Sequence, residues 1–237
     1  WLRILCVRFL IDDWDTLGYN RGKNAYIYKP YHDGDGTPED PPREGRWMLL
    51  PWDSDLTFNN TNAPIVSSKF PSIRRMLERP RYKRWYYSYY AYLIDGPFSR
   101  QQIDPVVDGV YQVLAGEQGQ PSSPSSIKNF VSGRINVIRA KLPQSEFEIT
   151  TNSGEDFKSD DPWVVLEGTA PIAARTIMLR LNDGPAQPFE PTWTSLTRWK
   201  ETITLNGGDS RFEFTGVDAG GNVVGSDSIT VSWGLSP

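Results

Sequence analysis

One cysteine and one histidine among 237 residues remove several chemistries at once. With Cys6 alone there is no internal disulfide and no cysteine-based zinc site. Cys6 lies in the apolar stretch WLRILCVRFL, where a buried, inert thiol is expected. His32 is the single histidine, so a Ser-His-Asp triad would have to hang on a polar loop, and no nucleophile elbow is present. Neither sign of charge dominates: 25 basic against 29 acidic residues leave a net charge of -4, with no global pull toward nucleic acid or anionic membrane. No apolar run approaches the length of a bilayer span, and no signal peptide is visible. There is no initiator methionine, and Trp1 opens what reads as helix interior. The expectation is therefore a processed or excised piece of something longer. The scarcity of cysteine suits a cytosolic or a bacterial secreted protein equally. What is abundant is aromatic residues, 13% of the chain, enough with the aliphatic ones to build one or two folded domains.

The composition changes near residue 145. Before it, apolar residues recur at helical spacing. Residues 1 to 11 read as a helix, 24 to 31 (NAYIYKPY) and 46 to 50 as a hairpin joined by the polar loop HDGDGTPEDPPREG. Three more helices are expected at 72–80, 81–96 and 125–143. The last carries Ile127, Phe130, Val131, Ile135, Ile138 and Leu142 on one face. After residue 145 come short Thr- and Val-rich runs between turn signals such as NDG, NGGD and AGGN. Six or seven strands at that spacing predict a β-sandwich of immunoglobulin or fibronectin type. The fold class expected is thus α+β over residues 1–145, with an all-β module over 146–237.

Acids cluster around the hairpin. Asp12, Asp13 and Asp15 follow the first helix, with Asn20 and Asn24 downstream, and Asp53 and Asp55 follow the second strand in GRWMLLPWDSDLTF. That stretch reads as a buried strand ended by Pro51. Its acids either solvate a turn or aim at a cation, since a buried carboxylate needs a partner. A helix end and two adjacent strand ends can converge, and hard oxygen ligands of this kind suit magnesium or manganese completed by phosphate. The competing reading is that these acids cap helices and solvate turns.

The segment IDDWDTLGYNRGKNAYIY followed by GRWMLLPWDSDLTF resembles the core signature of the CotH family, secreted spore-coat-type protein kinases. Residues 70–143 resemble the family's helical tail, with FPSIRRMLERPRYKRWYY, LIDGPFS and IKNFVSGRINVI. The resemblance implies an atypical-kinase C-lobe transferring the γ-phosphoryl group of ATP to a protein or peptide hydroxyl. It matches Asp15 to the catalytic-loop acid, Asn24 and Asp53 to ligands of magnesium or manganese, and Asp55 to a supporting position. Asp15 and Asp53 should then face one cleft, with Asn24 pointing into it. No Gly-rich phosphate loop precedes Asp15, and Lys23 does not stand where the kinase lysine would, so the ATP-binding N-lobe is expected to be absent from this piece and the piece alone to be inactive. Asn59 and Asn60 replace the family's glycine after Phe58.

Other motifs have bland readings beside sharper ones. DGDG at 33–36 could start a calcium loop through Asp33 and Asp35, but the later ligands are missing and a turn suffices. Asp15 with Asp53 or Glu44 could serve glycoside hydrolysis. Tyr86, Tyr87, Tyr89, Tyr90 and Tyr92 read as packing rather than sugar platforms. Arg74, Arg75, Arg79, Arg81, Lys83 and Arg84 read as a solvated helix face, with acidic or phosphorylated peptides as the functional alternative. Trp193 and Trp199 read as sandwich core, with sugar stacking as the rival. The β segment resembles the Ig-like modules that often follow CotH regions in bacterial surface proteins. The leading expectation is a piece of a secreted bacterial CotH-like kinase. A non-catalytic extracellular binding or scaffold protein, with polysaccharide as its candidate ligand, comes second and a glycosidase third.

Overall fold

A computed structural model describes residues 1–29, 47–66, 69–115 and 123–234. Helix α1 (Leu2–Leu10) buries Leu5, Cys6, Phe9 and Leu10. Strands β1 (Ala25–Tyr28) and β2 (Met48–Pro51) pair antiparallel, Tyr26 opposite Leu50, in a two-stranded sheet of their own. Helices α2 (Pro71–Leu77), α3 (Pro80–Asp95), α4 (Arg100–Leu114) and α5 (Ser125–Lys141) follow. Pro80 opens α3 because its fixed φ suits a first helical turn, and Gly96 closes it. In α3, Tyr86 and Tyr90 are buried and both hydroxyls donate to the Ile65 carbonyl, at 2.8 and 2.9 Å. Packing, not ligand binding, explains these tyrosines. No helix among the described residues is long and apolar enough to cross a membrane.

Helix α4 was not expected. Pro105 lies inside it, and a proline removes one helical donor, which argues against a helix when the sequence is read alone. The Arg100–Asp104 pair at 2.5 Å, one turn apart, and the packing of α4 on α5 offset that loss. A second departure concerns the stretch around β2. Of its apolar residues only Leu49 is buried; Met48, Leu50, Trp52 and Leu56 are exposed. A two-stranded sheet has one face on the core and one face open, so the run is apolar without being interior.

The remaining strands form a sandwich, which makes the chain α+β. One sheet has the order β4-β11-β10-β6-β7: β4 is Phe157–Ser159, β6 Thr176–Leu181, β7 Gln187–Phe189, β10 Gly208–Val217 and β11 Val223–Trp233. The other has the order β3-β5-β9-β8: β3 is Glu148–Ile149, β5 Trp163–Thr169, β8 Thr192–Trp193 and β9 Arg198–Thr204. The runs expected as the clearest strands, FEITT, WVVLEGTA, RTIMLRLN, KETITL, RFEFTGVD and SDSITVSW, contain β3, β5, β6, β9, β10 and β11 in whole or in part. Strands β4, β7 and β8, outside them, have three residues or fewer, too few for an alternating pattern to show. Val164, Leu166, Trp199, Phe212, Phe214, Ile229 and Val231 interlock between the sheets. Trp199 is therefore core. Trp193 is half-buried: it packs against the edge of that core at the junction with α3, where Arg84 stacks on it.

Arg84 corrects another expectation. Instead of standing on a solvated face it is buried, donating from Nη2 to the carbonyls of Pro171 and Ala174 at 2.7 Å and from Nη1 to that of Leu196. Ile172 from the β region is itself part of the helical core.

Candidate functional site

Arg134 of α5, fully buried, reaches the C-terminal end of α1. It donates to the carbonyls of Phe9 (2.6 Å) and Leu10 (3.1 Å) and to those of Thr61 (2.9 Å) and Ala63 (2.6 Å). Those helix-end carbonyls have no partner within α1, and a cation there also suits the helix dipole. The chain leaves α1 through Asp12 in the left-handed region, φ 55°, a conformation that aspartate and asparagine tolerate better than most residues. Asp12 accepts the Tyr19 hydroxyl at 2.9 Å and the Asn60 amide at 2.8 Å, tying the loop to the segment after β2.

Arg8 joins the other pieces. Its guanidinium donates to Thr16 Oγ1 (2.9 Å), Ser54 Oγ (2.9 Å) and the carbonyls of Trp52 (2.9 Å), Asp53 (2.9 Å) and Asn24 (3.3 Å), and it pairs with Asp13. One buried cation thus clamps the loop after α1, the entry to β1 and the exit from β2. Asp13 has no exposure; its contact with Arg8 is an ion pair, and neither of its oxygens accepts a well-formed hydrogen bond. Burial first, then the charges of Asp15 and Asp53, push its carboxyl up to about 6 against the pull of Arg8. Sequence reading missed Arg8, and it placed Asp13 among the acids after the first helix without seeing its partner. An arginine amid the apolar α1 pattern was the available signal.

Asp15 is buried and doubly held: the Asn24 amide donates to Oδ1 at 2.7 Å, and Lys23 Nζ lies 2.6 Å from Oδ2. The Lys23 hydrogen bond foremost, aided by Arg21 and Asn24, holds this carboxyl below its usual range although burial opposes it. Asp15 and Asn24 are therefore together. Asp53 is exposed, with a left-handed φ of 50°, its backbone pinned by Arg8 and its charge close enough to be felt by Asp13. Asn24 is left-handed too, at φ 59°. Of the three left-handed residues, Asn24 and Asp53 have their carbonyls held by Arg8, and Asp12 is tied to Tyr19 and Asn60. Asp55 is exposed and forms no ion pair among the described residues. Lys23 is a further member, hard to foresee because its contact depends on how the loop folds back.

The described residues contain no group of three or more His, Cys, Asp or Glu gathered to hold a metal. Oxygen donors for a phosphate-completed ion are nevertheless at hand. Asn24 spends its amide nitrogen on Asp15, leaving its oxygen uncommitted to that contact, and Asp53 is open to solvent. One or two protein oxygens plus phosphate and water is the usual magnesium arrangement. The residues fit in that limited sense. Asp33, Asp35, His32 and Glu44 lie outside the described residues.

The family model described as CotH kinase protein matches residues 1–138. No curated protein matches the chain. Among solved structures, the endo-beta-1,4-mannanase from Thermotoga petrophila aligns at 10% identity and TM-score 0.31 over 49% of this chain and 25% of that one. The chain thus spans about a quarter of the mannanase. The fibronectin(III)-like modules of Clostridium thermocellum CbhA align at 9% identity and TM-score 0.27 over 38% of this chain and 99% of theirs. Likenesses at these scores carry nothing about activity. The loop after α1, the hairpin and the helices behind it all fall within the matched span, and the chain belongs to the CotH kinase protein family.

Proposed function

We propose that residues 1–145 form the phosphotransfer lobe of a secreted bacterial CotH-like protein and residues 146–237 an Ig-like module. In the intact parent the γ-phosphoryl group of ATP would pass to a hydroxyl of a protein or peptide. The observation that carries this reading is Asp15: a buried, ionised carboxylate held in place by Asn24 and Lys23 beside the hairpin. Asp15 would orient the acceptor hydroxyl and take its proton as the new O–P bond forms and the bridging bond to ADP breaks. Lys23, now paired with Asp15, would turn toward the phosphoryl oxygens and so free Oδ2 for that proton. Magnesium or manganese, held by Asp53 and Asn24 with Asp55 in support, would neutralise phosphate charge. Tyr26 and Trp52, in edge contact at 6.1 Å, expose flat apolar faces next to Asp53. Such surfaces suit a purine base.

The test is a thermal shift with manganese and ATP. A small upward shift that Asp53→Ala abolishes and Trp193→Ala leaves intact is expected, because stabilisation follows ligand concentration over Kd. A pull-down on insoluble glycan runs beside it. Glycan retention that survives Asp53→Ala, with no nucleotide shift, would replace this reading with that of a non-catalytic polysaccharide-binding scaffold.

A further inference from the structure

A second candidate site lies where α3 meets the sandwich, away from Asp15. Arg81 and Trp85 of α3, Arg175 at the start of β6, Pro188 and Glu190 around β7, and Trp193 of β8 line one half-open cleft. Two features set it apart from ordinary surface. The first is charge. Arg180 and Arg211 on the same sheet are both paired with Glu213, whereas Arg175 forms no ion pair among the described residues and instead lies 4.5 Å from the centre of the Tyr89 ring. Arg81 holds both oxygens of Glu190 at 3.1 Å, and both side chains are exposed. A carboxylate therefore already fits in this cleft, in an ion pair that water weakens.

The second feature is ring surface. Trp85 and Trp193 each carry an arginine on one face, Arg81 at 4.8 Å and Arg84 at 3.6 Å, and both indoles remain half-exposed where they line the cleft. These stacks fix the rings, and Arg84 is itself anchored by carbonyls of the sandwich. The walls are therefore preorganised, and junctions between folded parts are where ligand pockets concentrate.

We propose that this cleft binds a uronic-acid unit of an anionic polysaccharide. The C–H face of the sugar lies on indole, and its carboxylate is taken by Arg175. An acidic peptide is disfavoured because β7 is the sheet edge it would extend, and Pro188 within β7 lacks a backbone donor. The proposal does not rest on phosphoryl transfer.

The test uses the full chain and a galacturonate hexamer in calorimetric titration. Neutral dextran and a glutamate hexamer serve as comparisons. Binding of the galacturonate alone is expected, weakened on the order of tenfold by Arg175→Gln. Thr176→Trp, which puts an indole into the cleft from an exposed position, should abolish it, while Asp53→Ala leaves it unchanged. Melting curves confirm that each variant is folded. The proposal is overturned by no galacturonate binding, by binding indifferent to both cleft variants, or by a glutamate hexamer that binds as tightly with the same dependence on Arg175.

Discussion

Arg8 and Asp13 form an ion pair whose side chains are 6% and 0% exposed. Removing one member of a buried pair strands the other. Arg8→Met is expected to cost about 3 kcal/mol at pH 7.5 and less at pH 5, where Asp13 can take up a proton. Urea unfolding at the two pH values measures the difference. An equal loss at both would mean that the carbonyl and hydroxyl contacts of Arg8, not Asp13, dominate.

Asp13 also predicts a pH dependence for the unmodified chain. Its folded pKa, about 6, is raised above the ordinary 3.8, so between those values the folded state binds more protons than the unfolded one. Stability from this group is then present at low pH and lost as pH rises from about 4 to about 6, by at most about 3 kcal/mol. Asp15 acts oppositely and lower down. Its pKa is depressed, so its contribution is lost only as pH falls below 3.8. Asp13→Asn should flatten the curve between pH 4 and 6 while leaving the acid limb intact.

At the junction, Arg84→Met removes the donor that serves Pro171, Ala174 and Leu196. A loss of about 2–4 kcal/mol is expected from unmet buried acceptors. Arg84→Lys should recover little of it, because one ammonium cannot reproduce both the fork and the stacking on Trp193. Chemical denaturation of the three proteins decides this.

Two glycines should respond with opposite signs. A Cβ at Gly168 would lie 2.5 Å from the buried Trp199 ring and 2.6 Å from the Glu148 carbonyl, so Gly168→Ala is expected to destabilise by 1 kcal/mol or more, to order of magnitude. Gly109 lies inside α4 with nothing within 4 Å of such a Cβ. Gly109→Ala should stabilise by roughly 0.5–1 kcal/mol through helix propensity. Melting temperatures report both signs.

Local pattern alone marked α1, α3, α5 and six of the sandwich strands, because hydrophobic period is a property of neighbours along the chain. From the cluster of acids and amides around the hairpin, which the residues alone left open between a cation site and turns, only the family resemblance singled out Asp15, Asn24 and Asp53. Local pattern failed where the deciding partner is distant in sequence. Nothing in RYKRWYY tells Arg84 from Arg81, yet one is buried under a β loop more than 80 residues away and the other stands in solvent. The apolar run at β2 could not show that only Leu49 turns inward. Arg8 reads as an oddity of an apolar helix until the β2 exit, 44 residues further along the chain, brings it the Trp52 carbonyl. Burial, pairing and the pKa of Asp13 arise from contacts between segments, and those exist only once the chain has closed on itself.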